Sequence, residues 1–280
     1  MSDSRPSVLA RILQSTRAEL SRRMEHTTHA ELRARLELDT AGERISAPRG
    51  FHAALRKPGI AVIAEFKRRS PSAGTLREGA ALEQLAPAYE RGGASALSVL
   101  TEQPNFGGSL ADLTAARELV GLPVLRKDFI VDRYQLLEAR VAGADAVLLI
   151  VAALSNEELA SLLAAARELT LDVLVEVHDR EEVARALAAG AELIGVNNRD
   201  LRDFSVDVGR TSQLRSAIPS GVAVVSESGI ATAEQLHSLE SEGVDAVLVG
   251  ELLMRASDPQ AALRQLLTHE SETASARSSP

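Results

Sequence analysis

The five-residue pattern Gly143-Ala144-Asp145-Ala146-Val147 has three further copies in the chain and bears directly on its fold. The other copies are Gly93-Ala94-Ser95-Ala96-Leu97, Gly190-Ala191-Glu192-Leu193-Ile194 and Gly243-Val244-Asp245-Ala246-Val247. Each copy follows a helical stretch and places Gly where the end of a helix favours a left-handed residue. Each then enters an apolar run. The pattern therefore predicts four junctions at which a helix leads into a strand.

Outward from these junctions, eight short apolar runs alternate with helical stretches. The runs begin near Ile60, Ser95, Pro123, Asp145, Asp172, Glu192, Val222 and Asp245. They are apolar throughout, as expected of parallel strands that are covered on both faces. The pattern falls on every second run, which is natural in a barrel whose interior layers draw on alternate strands. The sequence predicts a closed (β/α)8 barrel of the α/β class, with a doubly wound open sheet as the alternative.

The length of the chain fits one such domain with additions at both ends. A barrel of this type takes about 250 residues, and the chain has 280. Residues 1–48 carry apolar side chains such as Ile12 and Leu20 at helical spacing, which predicts an N-terminal helical extension. The barrel is expected over about 60–268. Residues 269–280 are polar and lack periodicity, so we expect a disordered tail.

Charge and composition exclude several functions. A formal net charge of −8, with acidic and basic residues mixed, argues against a nucleic-acid-binding face. The absence of Cys excludes disulfides, thiolate metal sites and a Cys nucleophile. No apolar run approaches the roughly 20 residues of a membrane helix, and the first residues lack the apolar segment of a signal peptide. We expect a cytoplasmic protein with neither a nucleic-acid nor a membrane partner.

Polar residues collect where the predicted strands end. The set comprises Glu65, Lys67, Lys127, Glu176, Asn197 and Glu227. Side chains two apart on a strand share a face, so Glu65 and Lys67 point into the barrel if Ala61 and Ile63 do. Active sites of these barrels lie at the C-terminal ends of the strands. Any one of these charges is most simply a solvated loop start. Six such residues on five strands favour a site for acid–base chemistry.

Glycines after the last two predicted strands indicate a phosphate site. Ser228-Gly229-Ile230 is expected to open a helix after strand seven, and Gly250-Glu251-Leu252 follows strand eight. Loops seven and eight, with a short helix N-terminus, form the recurrent phosphate site of this fold. A single glycine is usually just part of a turn, whereas glycines after both of these strands favour a phosphate site.

The remaining polar residues favour structural interpretations. His178 has no His or Cys companion at ligand spacing, so it is expected at the surface or behind the residues that touch substrate, and no metal site is predicted. Asp112 and Glu118 are expected on solvated helix faces. The segment Phe106-Gly107-Gly108-Ser109 is either an ordinary loop or an apolar wall with an anion-holding turn.

At these positions the chain resembles the indole-3-glycerol phosphate synthase family of tryptophan biosynthesis. The resemblance covers nearly the whole chain and follows the barrel loops in order. The segments that carry it are Ile63-Ala64-Glu65-Phe66-Lys67-Arg68-Arg69-Ser70-Pro71-Ser72, Leu100-Thr101-Glu102, Phe106-Gly107-Gly108-Ser109, Leu125-Arg126-Lys127-Asp128-Phe129, Val175-Glu176-Val177-His178, Ile194-Gly195-Val196-Asn197-Asn198-Arg199-Asp200-Leu201 and Ser226-Glu227-Ser228-Gly229-Ile230.

The resemblance implies cofactor-free ring closure of a small phosphorylated substrate, 1-(2-carboxyphenylamino)-1-deoxyribulose 5-phosphate. The implied products are indole-3-glycerol phosphate, carbon dioxide and water. Lys127 would be the general acid, Glu176 the general base and Lys67 the partner of the substrate carboxylate. Glu65, Asn197 and Glu227 would orient these groups and the sugar hydroxyls.

The resemblance also assigns the binding residues. The phosphate would lie among Ser70, Ser228, Gly229, Gly250 and Glu251. Some members have Ser where Glu251 stands, so its backbone is expected to bind and its carboxylate to turn away. Arg199 would add positive charge. The anthranilate ring would lie against Leu100, Phe106, Phe129, Leu148 and Ile150.

Three other functions remain open from the sequence. Lys67 or Lys127 could form a Schiff base with a sugar phosphate, as in an aldolase. A phosphoribosylanthranilate isomerase is a related possibility, although it gives no reason for both lysines. A metabolite-binding barrel without catalysis is the third, and the full acid–base set argues against it. A monomer or weak homodimer is expected.

Overall fold

A computed structural model of the chain describes residues 7–42, 47–200 and 204–268. In this part of the chain, eight parallel strands close into a barrel, each bonded to the next and the last to the first. The strands are β1 (Ala61–Phe66), β2 (Ala96–Leu100), β3 (Val124–Lys127), β4 (Ala146–Ile150), β5 (Asp172–Val177), β6 (Leu193–Asn197), β7 (Ala223–Glu227) and β8 (Ala246–Val249). The predicted (β/α)8 barrel is confirmed, and the doubly wound alternative is wrong.

Helices precede the barrel and surround it. The chain begins with α1 (Val8–His26), α2 (His29–Ala41) and the short α3 (Phe51–Leu55), so the predicted helical extension is present. The others are α4 (Leu82–Gly92), α5 (Gln103–Phe106), α6 (Leu110–Leu119), α7 (Arg133–Val141), α8 (Asn156–Glu168), α9 (Arg180–Ala188), α10 (Arg210–Arg215), α11 (Ala233–Ser241), α12 (Glu251–Arg255) and α13 (Pro259–Leu267). The tail expected at 269–280 lies outside the described residues.

The repeated pattern builds one layer of the barrel interior. Its fourth residue is buried in the interior cluster in all four copies, as Ala96, Ala146, Leu193 and Ala246. These residues belong to β2, β4, β6 and β8, which are alternate strands, as expected for one layer of such a barrel. The four glycines have φ between +79° and +102°, the left-handed region in which Gly is favoured. The repeat is therefore explained by a helix end followed by a fixed position in the core.

Strand alternation then carries charged residues to the mouth of the barrel. Ala61 and Ile63 of β1 belong to the interior cluster, whereas Val62 and Ala64 pack outward against the helices. Glu65 continues the inward series because side chains alternate along a strand. The same alternation, from interior residues of β3, β5, β6 and β7, leads to Lys127, Glu176, Asn197 and Glu227.

The opposite end of the barrel is closed by α3, which the sequence analysis did not predict. Phe51 and Leu55 are fully buried in the interior cluster. The backbone N–H of His52 donates to Asp172 Oδ2 at 2.8 Å, at the start of β5. Only five residues long, α3 has too few turns to show a period in the sequence.

A buried ionic network joins α1 to β3, the strand that ends in Lys127. The Arg126 guanidinium is 1% exposed and contacts Asp128 Oδ2 at 2.9 Å and Glu138 Oε2 at 3.3 Å. Glu138 in turn accepts from Arg23 of α1 at 2.7 Å. Removing one member of a buried network leaves uncompensated charge, which is more costly than the loss of one contact.

Replacing Arg126 by Met is therefore expected to lower the free energy of unfolding by about 3–5 kcal/mol. Urea unfolding followed by circular dichroism measures this change. Arg167→Met is the control, because Arg167 is 52% exposed and pairs with an exposed Glu192. The Arg167→Met substitution should lower the free energy of unfolding by less than about 1 kcal/mol. Equal losses in the two variants would contradict a structural role for the buried network.

Candidate active site

A cavity of about 410 Å³ opens at the C-terminal ends of the strands. Its wall contains every residue predicted for the site except Glu227. The floor is charged, one side is apolar, and the rim carries the glycines of the last two loops. The structure thus brings together residues from loops that are far apart in the chain.

Lys127 lies at the centre of the charged floor. Its Nζ is 2.5 Å from Glu227 Oε2, 3.8 Å from Glu176 Oε2 and 4.0 Å from Glu65 Oε2. Burial by itself lowers the pKa of the Lys127 ammonium, but the carboxylates outweigh burial and raise it overall. Lys127 therefore holds a proton at neutral pH, next to the cavity.

Glu65 and Lys67 form a second pair at the end of β1. Lys67 Nζ donates to Glu65 Oε1, and the lysine side chain is 19% exposed toward the cavity. Burial favours a raised pKa for the Glu65 carboxyl, yet Lys67 and Lys127 together lower it. Glu65 is thus an ionised partner that holds Lys67, whose position leaves it available to an anion in the cavity.

The two oxygens of Glu176 have different surroundings. Oε1 accepts from Asn197 Nδ2 at 3.1 Å, and His178 Nε2 lies 3.4 Å away. Oε2 faces Lys127. Although burial raises the pKa of Glu176, the contacts with His178 and Lys127 outweigh it and lower the value to about 2. Glu176 is therefore a carboxylate at neutral pH.

Glu227 is 1% exposed and is absent from the cavity wall, although its Oε2 contacts the Lys127 ammonium. Burial raises its pKa to about 7, although Lys127 partly opposes this. Within the described residues its Oε1 has no hydrogen-bond partner. Gly195 provides the room for this oxygen, because a Cβ there would collide with Glu227 Oε1. Gly195 was not among the predicted site residues, although its inward position on β6 follows from the alternation between Leu193 and Asn197.

Gly250 likewise leaves room for a carboxylate oxygen, in this case that of Glu65. A Cβ at Gly250 would lie 2.5 Å from Glu65 Oε1. Backbone contact with phosphate was the predicted reason for this glycine. In the structure, a side chain at this position would also disturb the charged floor, so replacing Gly250 cannot separate phosphate binding from chemistry.

The predicted phosphate residues form the rim. Gly250 precedes α12, as expected. The helix expected at Ser228 is wrong, because α11 begins at Ala233 with Thr232 as its cap. Ser228 instead has φ +68° and donates through Oγ to Asn197 Oδ1 at 2.9 Å. The Glu251 carboxylate accepts from Arg255 Nε at 3.0 Å.

The apolar wall is built around two aromatic rings. The ring centroids of Phe106 and Phe129 are 6.2 Å apart. Glu102 fixes the first ring, because its carboxylate caps α5 by accepting from the backbone N–H of Phe106 at 3.0 Å. The segment that starts at Phe106 is therefore part of the cavity wall. The aliphatic members of this wall are Leu100, Leu148 and Ile150.

The expectation that Asp112 is a solvated helix charge is wrong. Its two carboxylate oxygens accept from the Arg68 guanidinium at 2.6 and 2.7 Å, and its side chain is 13% exposed. The pair connects the loop after β1 to the start of α6. The Arg199 side chain, which lines the cavity, donates to the Phe204 carbonyl at 3.2 Å.

This arrangement of residues agrees with a comparison against known families. A sequence model described as indole-3-glycerol phosphate synthase matches residues 9–266. The chain belongs to the indole-3-glycerol phosphate synthase family. The resemblance inferred from the loop motifs is confirmed, and with it synthesis of indole-3-glycerol phosphate, a step of tryptophan biosynthesis, as the activity.

Relatives in this synthase family cover most of the chain. Indole-3-glycerol phosphate synthase 2 of Streptomyces coelicolor is 57% identical over 219 residues, covering 78% of this chain and 85% of its own. The synthase of a Parafrankia species is 48% identical, covering 94% and 96%. A solved KGPDC structure from Streptococcus mutans has a TM-score of 0.56 at 14% identity, covering 74% of this chain and 95% of its own. The last similarity concerns the barrel fold alone.

Among residues 7–42, 47–200 and 204–268, no cluster of three or more His, Cys, Asp or Glu side chains is arranged to hold a metal ion. No helix in the same ranges has the length and apolar character needed to cross a membrane.

Proposed function

We propose that this chain converts 1-(2-carboxyphenylamino)-1-deoxyribulose 5-phosphate into indole-3-glycerol phosphate, carbon dioxide and water, as a carboxy-lyase without a cofactor. The observation that carries the proposal is the Lys127 ammonium, which lies among three carboxylates at the floor of a half-apolar cavity. Such a group can protonate an oxygen on which negative charge develops.

The chemistry of the substrate matches the three parts of the cavity. The aromatic ring fits against the apolar wall that contains Phe106 and Phe129, and its carboxylate fits near Lys67. The phosphate fits the rim at Gly229 and Gly250, where backbone N–H groups bind anions. Each part of the molecule thus has a region of suitable charge and polarity.

Lys127 acts in ring closure. As the ring carbon that bears the carboxylate attacks the ketone carbon, Lys127 transfers its proton to the ketone oxygen, which becomes a hydroxyl. The new carbon–carbon bond is followed by cleavage of the bond to the carboxylate. Carbon dioxide leaves, and the electron pair of that bond returns to the ring.

Glu176 acts in the dehydration that follows. After Lys127 has donated its proton, the amine no longer stabilises the neighbouring carboxylates, so their proton affinity rises. Glu176 then accepts a proton from the methylene carbon of the new five-membered ring, while the hydroxyl leaves with a proton from Lys67, forming water. The one proton consumed overall is returned to the lysines from solvent. The low pKa of Glu176 beside the Lys127 ammonium is thus compatible with a base that becomes effective only after the first step.

Turnover is expected with EDTA present and nothing else added, because the proposed proton transfers all use side chains of this chain. The assay supplies the carboxyphenylamino deoxyribulose phosphate and follows indole fluorescence. Restoration of activity by a divalent metal, after complete loss in EDTA, would overturn the cofactor-free proposal. Tight binding without turnover would favour the non-catalytic barrel.

The aldolase alternative needs a neutral amine that attacks a carbonyl carbon. The carboxylates around Lys127 hold it as an ammonium and so oppose this chemistry. Borohydride reduction in the presence of substrate should leave Lys127 and Lys67 unmodified. A monomer or weak homodimer in the cytoplasm completes the proposal, and it rests on family membership.

A further inference from the structure

His178 lies between two carboxylates, one of which belongs to the proposed base. It follows Glu176 by two residues at the end of β5, and its side chain is 12% exposed. Its Nε2 is 3.4 Å from Glu176 Oε1, and its Nδ1 is 3.1 Å from Glu182 Oε2 on α9. Nδ1 is within hydrogen-bond distance of Glu182, whereas Nε2 makes only the longer ionic contact with Glu176 and, among the residues that the structure describes, no hydrogen bond. Because an ionised carboxylate only accepts, a carboxylate oxygen near each nitrogen favours the imidazolium.

Glu182 holds the ring in this orientation. Its Oε2 also accepts the backbone N–H of His178 at 2.7 Å. Its own backbone N–H donates to Asp179 Oδ1 at 2.9 Å, which caps the start of α9. The first turn of the helix thus fixes Glu182, and Glu182 fixes the imidazole.

The contact has a consequence for the two oxygens of Glu176. Oε1 faces His178 and Asn197, away from Lys127, whereas Oε2 faces Lys127 at 3.8 Å. We infer that His178, held by Glu182, is a positioning residue that keeps Glu176 ionised and turns its Oε2 toward the reacting atoms. The inference rests on the proposed function, in which Glu176 is the base.

Electrostatics in the cluster support this role. Burial lowers the pKa of His178, but Glu176 and Glu182 outweigh burial and raise it to about 10, so the imidazolium persists through the neutral range. Glu176 itself faces Lys127 on β3 and the carboxylates of Glu65 and Glu227. Without the imidazolium, burial and those like charges would raise the pKa of Glu176. A smaller fraction of Glu176 would then be ionised as the pH falls.

The test compares His178→Gln and Glu182→Gln with Glu181→Gln, the matched control. Glu181 is the exposed neighbour of Glu182, so its replacement removes the same charge without touching the ring. For each variant, kcat and KM are measured between about pH 5 and pH 8.5 and divided by the values of the unmodified enzyme. This ratio removes the part of the pH dependence that each variant shares with the unmodified enzyme.

For His178→Gln, we expect kcat to fall about tenfold near neutral pH, with KM changed less. Below neutral pH, the ratio of its kcat to that of the unmodified enzyme should fall further, by up to about tenfold per pH unit. Glu182→Gln should show the same trend more weakly, and Glu181→Gln a ratio near one throughout. A ratio independent of pH in the first two variants would overturn the inference. If His178→Gln does not fold by circular dichroism, Glu182→Gln decides. Absence of turnover by the unmodified enzyme would instead refute the proposed function.

Discussion

Replacing Lys127 by Met is expected to lower kcat by at least about 10²–10⁴-fold, the usual contribution of a positioned acid. Met preserves most of the side-chain length but cannot supply a proton. The loss should appear at saturating substrate, because the negative charge on the ketone oxygen develops only in the transition state. Steady-state kinetics by indole fluorescence measures the effect, and circular dichroism checks that the barrel is folded.

Lys67→Met is the comparison for this prediction. Lys67 pairs with Glu65 and is the more exposed of the two lysines, at 19% against 13%. Its expected partner is the substrate carboxylate, present from the ground state onward, so KM should rise at least as much as kcat falls. Near-normal kcat in Lys127→Met, with kcat abolished in Lys67→Met, would show that the two roles are reversed.

Glu176→Gln is expected to lower overall turnover by about 10²–10⁴-fold, because the amide cannot accept the proton in the last step. Ring closure and decarboxylation use Lys127 and should be slowed less. In a single turnover, carbon dioxide should therefore be released faster than the indole chromophore appears. Quenched-flow measurement of both products tests this order.

Glu251→Gln is the control for the Glu176 variant. Glu251 is on the rim, where its side chain is 46% exposed and pairs with Arg255. Its kinetics should change little, because only its backbone is expected to bind the phosphate. If carbon dioxide release and indole formation slow by the same factor in Glu176→Gln, Glu176 acts before decarboxylation. That result would contradict its assignment to the dehydration.

The barrel and the location of its site were predictable because both depend on short-range periodicity. The Gly-containing repeat marks helix ends at alternate strands, and strand alternation directs Glu65 and Lys127 inward. Alternation predicts which side of the sheet a side chain faces, but not whether that side chain reaches the cavity. Glu227, for example, contacts the Lys127 ammonium but is absent from the cavity wall, whereas its neighbour on the adjacent strand, Asn197, is part of that wall.

Other features depend on partners that are distant in the sequence. Asp112 looks like an ordinary helix charge until Arg68, 44 residues away, is placed beside it. Gly195 looks like a strand glycine until the Glu227 carboxylate lies over it. His178 is different, since Glu176 and Glu182 are both near it in sequence. The sequence did not reveal the orientation of its imidazole ring, because that orientation is fixed by the first turn of α9.

The most direct test of the central claim is to measure carbon dioxide and indole-3-glycerol phosphate from the same reaction. The unmodified protein, treated with EDTA and supplied with the carboxyphenylamino deoxyribulose phosphate, should release the two products in equal amounts. Lys127→Met, folded and supplied in the same way, should release neither at a comparable rate. Unequal amounts at completion, or equal rates in the two proteins, would contradict ring closure driven by the Lys127 proton at this site.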